Sequence, residues 1–259
     1  MNGRLLLCSF AGFFLLSSLS AQTTPAVPVP PPVVTIGTGF DYSSGSYGLA
    51  ADTEVMSIPL VLGYTSGNWN FEARAPWIRI KGPAEVVGGG GGAVRPTAAA
   101  ESGLGDIYLS STYRFGAIAG DVNSSFTLRV KLPTADEDKG LGTGKTDYYG
   151  QLDFFETFGS VTPYVSLGYA VLGDPATYEL EDGPFASAGM HFRTSDSTVL
   201  TLGYNWRHRY VAGGDSGSDA LAAVTHDINA NWRIMLYGLV GFSNASPDGG
   251  GGVQLSYRF

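Results

Sequence analysis

From Val33 onward the chain alternates polar and apolar residues in stretches of about ten, the period of a strand with one wet and one apolar face. Over 122–132, Phe126, Leu128, Val130 and Leu132 share one face, and Ser125, Thr127, Arg129 and Lys131 share the other. Over 198–210, Leu200, Leu202, Tyr204 and Trp206 oppose Thr201, Gly203, Asn205, Arg207 and Arg209. At the end of the chain Val253, Leu255, Tyr257 and Phe259 oppose Gln254, Ser256 and Arg258. The pattern predicts twelve strands, near 33–42, 54–64, 69–81, 103–115, 122–132, 147–158, 161–172, 183–193, 198–210, 219–230, 233–243 and 250–259. Alternation is weak in the first, tenth and eleventh, and His226 falls on the apolar face, which predicts a bulge or a shifted boundary there.

The connections alternate in length. Those at 65–68, 116–121, 159–160, 194–197 and 231–232 are short, and those at 43–53, 82–102, 133–146, 173–182, 211–218 and 244–249 are mostly longer. Short periplasmic turns and long extracellular loops are the habit of transmembrane β-barrels. The expected fold is therefore all-β: one antiparallel transmembrane barrel of about twelve strands with both termini in the periplasm. Aromatics at strand ends predict two girdles. Tyr64, Trp69, Phe115, Phe158, Trp232 and Phe259 fall at the periplasmic rim, and Tyr42, Trp77, Tyr169, Trp206 and Tyr210 at the outer rim.

Composition sharpens this. Charged residues are 15% of the 259, below the roughly 25% of soluble domains. Mean hydropathy is only +0.06, and beyond the N-terminus no apolar run nears the ~18 residues of a membrane helix. The N-terminus itself reads as a cleaved signal peptide over 1–20. Arg4 supplies the positive charge, Leu5 to Leu16 the apolar segment, and Ser18 and Ser20 the small residues before a cut at Ala21. Cleavage removes Cys8, the only cysteine, so the mature chain has no thiol for a disulfide or a metal. Residues 21–32 are a proline-rich periplasmic lead-in, and 33–259 the barrel. A net charge of −8 argues against nucleic acid as a partner.

Three segments carry a family resemblance. Gly103-Leu104-Gly105-Asp106 opens a strand. Lys131-Leu132-Pro133-Thr134 is followed by Gly140-Leu141-Gly142-Thr143-Gly144 and Asp147. Gly241-Phe242-Ser243 precedes Ser246-Pro247-Asp248. In this order they resemble the MetA-pathway of phenol degradation ("transporter") outer-membrane proteins, over roughly residues 100–259. That resemblance implies a porin-like barrel linked to uptake of aromatic or other hydrophobic compounds. The terminal Tyr257-Arg258-Phe259 is similar to the signal read by the barrel assembly machinery, with Phe259 as its last residue. Outer-membrane lipid and lipopolysaccharide are the other expected partners.

Chemistry is expected in the lumen, because charges on a lipid face cost a few kcal/mol at mid-depth. The pore-lining candidates are Glu72, Arg74, Asp106, Arg114, Arg129, Lys131, Asp153, Arg207, Arg209 and Arg258. Two arrangements fit them. One is a basic constriction favouring anionic or polarisable solutes; the other is a salt-bridge network with Glu72, Asp106, Asp153 and Asp227 that fills the lumen. No cofactor or metal is expected. Asp136-Glu137-Asp138 lacks the spacing of a calcium loop, and Gly140–Thr146 lacks a phosphate loop's first glycine, its place being taken by Lys139. The glycine run 88–92 reads as a flexible loop. The histidines, His191, His208 and His226, stand next to no serine, so the chain is not expected to be an enzyme, a lipid hydrolase being the rival of that class. The expected function is passive uptake of small molecules through the outer membrane. An occluded structural or surface-interaction barrel is the alternative.

Overall fold

The structure, a computed structural model, describes residues 31–87, 90–94, 99–175 and 179–259. The signal segment and all but the last two residues of the lead-in lie outside the described residues. The strands are β1 (Val33–Gly45), β2 (Thr53–Ser66), β3 (Trp69–Lys81), β4 (Ala84–Val87), β5 (Gly90–Val94), β6 (Glu101–Leu104), β7 (Ile107–Ala119), β8 (Val122–Leu132), β9 (Asp147–Phe155), β10 (Val161–Val171), β11 (Gly183–Arg193), β12 (Thr198–Arg207), β13 (Gly217–Asp227), β14 (Trp232–Gly241) and β15 (Gly249–Arg258). β4 and β5 form a separate hairpin, so part of the glycine run is strand rather than loop.

The rest is one antiparallel ring. Each strand pairs with its chain neighbour, and β1 pairs with both β2 and β15, which closes the sheet. β6 and β7 are two pieces of one stave, since both pair with β3, giving twelve staves. All twelve predicted strands are present. The start of β1 and the C-terminal Phe259 lie at the end of the short turns, where Phe259 N donates to Val34 O at 3.0 Å.

Two prolines explain the gaps in the ladder. Pro59 and Pro76 stand opposite each other in β2 and β3. Neither has an N–H to give to its other neighbour. The β1–β2 register skips the residues facing Pro59, and the β6–β7 stave breaks at Gly105-Asp106, beside Pro76. Gly105 N instead donates to Pro76 O at 2.8 Å. The sequence predicts an unbroken strand there; the break frees Asp106 for the lumen.

The outward face is apolar around the whole ring. Ile58, Leu60, Leu62, Leu128, Leu167, Leu202 and Leu236 all stand exposed on it. Among the described strands its ionisable side chains are Glu54, Arg79, Lys81 and His226, all close to strand ends. A soluble protein hides such a surface; a lipid-facing one needs it. Apart from the short β4, β5 and β6, the strands have nine to fourteen residues and, tilted, span the ~25 Å apolar band. The girdle residues are exposed as predicted, except Tyr210. It lies beyond β12, turned inside and 5% exposed. At the turn end Trp69, Tyr113 and Phe115 pack in one row, and Trp232, Tyr257 and Phe259 in another.

Of the bulge or shifted boundary expected near His226 the structure shows the second: β13 runs Gly217–Asp227 rather than 219–230, with no bulge. β13 keeps register with both neighbours, and His226 faces outward at the turn-end rim, its Nδ1 2.9 Å from Thr198 Oγ1. A rim position and a hydroxyl partner make a bulge unnecessary. Register shifts in the ring occur instead in β7, between Arg114 and Ala119.

We predict that Leu167→Arg, which places a charge at mid-depth on the lipid face, destabilises the folded barrel by about 2–4 kcal/mol. Thr127→Arg on the lumen face should cost less. Urea unfolding followed by the gel-mobility shift of folded barrels measures both.

Candidate functional site: the lumen

The inner face carries the complement of the apolar belt. In the loop-side half Lys131 is almost fully buried, and a cation there needs partners. It has three: Asp147 Oδ2 at 2.7 Å, Asp106 Oδ2 at 3.4 Å and Thr143 Oγ1 at 2.8 Å. The acids are tied down in turn. Asp106 Oδ1 accepts from Ala135 N, while Asp147 accepts from Gly173 N and from Tyr149 Oη.

This network holds the 133–146 loop inside the mouth. Leu141, 2% exposed, packs on Val55, Ile78 and Ile80 of β2 and β3. Gly103 makes room for it: a Cβ there would stand 3.0 Å from Leu141 Cδ1. Gly142 likewise lies against Asp106 and Ala135. Thr134 Oγ1 donates to Gly105 O and accepts from Ile107 N, bridging the break in the stave. Two of the three segments that carry the family resemblance thus meet at one place. The third, 241–248, folds over β13: Ser243 and Ser246 accept from Ser218 N, and Arg207 donates to Ala245 O.

Of the other candidates, Arg74 pairs with Asp41 at 3.3 Å, and Tyr237 Oη donates to the same carboxylate at 2.6 Å. Gly252 lets the two meet, since a Cβ there would strike both. Asp153 has no ion pair among the described residues; it accepts from Ser125, Gln151 and Ser166. Glu72 is buried in the wall, and Arg74 and Arg129 lie close enough to act on its charge. Arg207 stacks over the Tyr210 ring at 4.3 Å. Arg114 and Arg258 face inward near the turn end.

Arg209 is not a wall residue. β12 ends at Arg207, and Arg209 lies in the following loop, 44% exposed, with its Nε 2.7 Å from Glu181. Hydrogen bonds from Arg209 and then His208 hold the Glu181 carboxyl below its ordinary value, which clips loops 172–182 and 208–216 together. Beneath them Tyr149, Leu172, Leu180, Phe185 and Tyr210 form an apolar cluster, and burial pushes the Tyr210 hydroxyl up, so it stays neutral.

Sequence reasoning missed Asp41, Asp147, Asp219 and Arg233. The first three were legible as inward positions by alternation. Asp219 accepts from Asn205 Nδ2 at 2.9 Å, and Arg233 forms a two-armed pair with Asp227. The inward bases therefore stand among at least as many acids, and the network arrangement describes them better than a basic ring. The histidines lie apart. His191 meets Thr201 inside, His208 meets Glu181 in the loops, and His226 meets Thr198 outside.

Burial differs around the wall. Every inward side chain of β9 and, up to Leu239, of β14 is buried. Along β1 and β15 the inward Thr35, Gly37, Gly39, Ser43, Gln254, Ser256 and Arg258 are all partly exposed. A side-chain-poor strip thus runs from loop end to turn end, interrupted midway by the buried Asp41.

The sequence matches no protein-family model and, at a significant level, no curated protein. Solved structures do match. An outer-membrane channel from Pseudomonas putida F1 superposes with TM-score 0.67 at 12% identity, covering 92% of this chain and 100% of that one. The KdgM porin superposes with TM-score 0.54 at 9% identity, covering 87% and 99%. This is the fold of an outer-membrane β-barrel. The apolar belt puts the chain in that membrane.

We predict that Lys131→Met, which strands two buried carboxylates, costs about 3–5 kcal/mol. It should also expose 133–146 to protease in the folded barrel. Urea midpoints and limited proteolysis of the two proteins check it; an uncut loop would contradict the latch.

Proposed function

We propose that the protein is a narrow outer-membrane channel for passive uptake of small molecules. The observation that carries this is the partly exposed polar strip along β1 and β15, in a ring where the inward residues of β9 are all buried and those of β14 nearly all. The loops would face outward and both termini the periplasm, after export by the signal segment and assembly through Phe259. Fold kinship with proteins named as channels and porins supports the reading. The family resemblance adds aromatic or other hydrophobic solutes.

Selectivity follows from the charge balance. Arg74, Lys131 and Arg233 are each paired with an acid, so the wall presents polarity rather than one sign of charge. An occluded structural barrel is the second reading. It is favoured by the 133–146 loop, whose buried Leu141 and Thr143 block part of the mouth.

Planar bilayers decide between them. The channel reading predicts small single-channel currents with weak preference between cations and anions, rising several-fold when residues 136–144 are deleted. Silence from both proteins would establish the occluded barrel, and strong anion selectivity would restore the basic ring.

A further inference from the structure

The turn-side half of the strip contains a cavity of ≈ 40 Å³, lined among others by Thr35, Val61, Glu72, Arg233, Met235 and Gln254. At roughly 10–15 Å³ per water it has room for about three waters, the bulk of a three-carbon molecule. Its two charged residues keep unused hydrogen-bonding capacity. Arg233, 5% exposed, spends Nε and Nη2 on Asp227, at 2.5 and 2.9 Å. Its Nη1 is buried and donates to nothing among the described residues. Glu72, 7% exposed, accepts no hydrogen bond from them either, whereas Asp41, Asp106, Asp147, Asp153 and Asp219 all accept at least one. Leaving such groups unmatched costs on the order of 1–3 kcal/mol each, so a site that keeps them is arranged for something to meet them.

The unused capacity is for hydrogen bonds and not for charge. Asp227 already neutralises Arg233, and Arg74 and Arg129 already offset Glu72. A full charge entering the cavity would lose its hydration and find no free counter-ion. A hydroxyl group would lose nothing: it can donate to the Glu72 carboxylate or accept from Arg233 Nη1. Thr35 and Gln254 add further polar partners, and Val61 and Met235 offer a carbon skeleton an apolar surface.

We propose that this cavity is a binding subsite for small uncharged hydroxylated solutes, with Glu72 taking the solute's hydroxyl protons and Arg233 Nη1 its oxygen. As a station along the passage it rests on the channel reading, but the binding itself does not. On that reading, solutes of this class would pass with saturable flux, where an unspecific pore gives flux linear in concentration.

The test is saturation-transfer NMR on the full-length protein in deuterated detergent, with glycerol, propionate and propylammonium as three-carbon probes. Glycerol should receive at least several-fold more saturation than either ion. Arg233→Lys keeps the charge beside Asp227 but removes the free Nη1, and should cut the glycerol signal several-fold. Glu72→Gln removes the cavity's own negative charge while Arg74 and Arg129 keep theirs nearby, and should shift the preference to propionate. Equal signals from all three probes in the unaltered protein would overturn the subsite, and so would a glycerol signal indifferent to Arg233→Lys. The unaltered protein's ranking needs no variant to fold. Glycerol binding in a barrel silent in bilayers would support the subsite and count against the channel alone.

Discussion

Closure of β1 onto β15 is the constraint on which everything else depends. In hydrocarbon an unpaired backbone N–H or C=O costs several kcal/mol, and a sheet can satisfy all of them only by having no edge. The ten-residue register from Thr35–Arg258 to Ser44–Gly249 supplies that pairing at the seam. Once the ring is closed, alternation does the sorting. Every second side chain meets lipid and must be apolar; the others meet one another in a confined space. Where proline breaks the ladder at Pro76, Gly105 N turns to Pro76 O, and Thr134 of the 133–146 loop takes up Ile107 N and Gly105 O.

That recovery links fold to function. The gap beside Pro76 turns Asp106 inward, where it shares Lys131 with Asp147, and Lys131 also fixes Thr143 of the loop. Buried ions of this kind contribute little net stability but tolerate few other arrangements, because removing one partner strands the other. Glycine determines where side chains are absent. Gly103 accommodates Leu141 on one side of the ring, and Gly37, Gly39 and Gly252 thin the wall on the other. On the channel reading, the loop fills one sector and the β1–β15 sector is the passage.

Much of this was legible in the sequence. Twelve strands, their facing and the alternation of turns with loops follow from period-two patterning, which lipid enforces more strictly than a protein core does. Most girdle aromatics follow for the same reason. The exceptions share one cause: loop residues do not obey the alternation of the strand before them. Tyr210 and Arg209 continue the pattern of β12 on paper, yet the strand has ended at Arg207, so one turns inside and the other reaches Glu181. The lumen pairs were legible only in part. Alternation shows that Lys131 and Asp147 face inward, but their meeting depends on register across strands and on a loop folding back, which no local pattern reports.

The central claim is that solutes pass beside the 133–146 loop, along β1 and β15, with the loop in place. Cysteines at Ile80 and Leu141, joined by a short thiol crosslinker, would pin the loop to the β3 wall. Single-channel current measured before and after bridging is the direct test. Unchanged current is the predicted result; current abolished by the bridge would show that passage requires the loop to leave, contradicting the account.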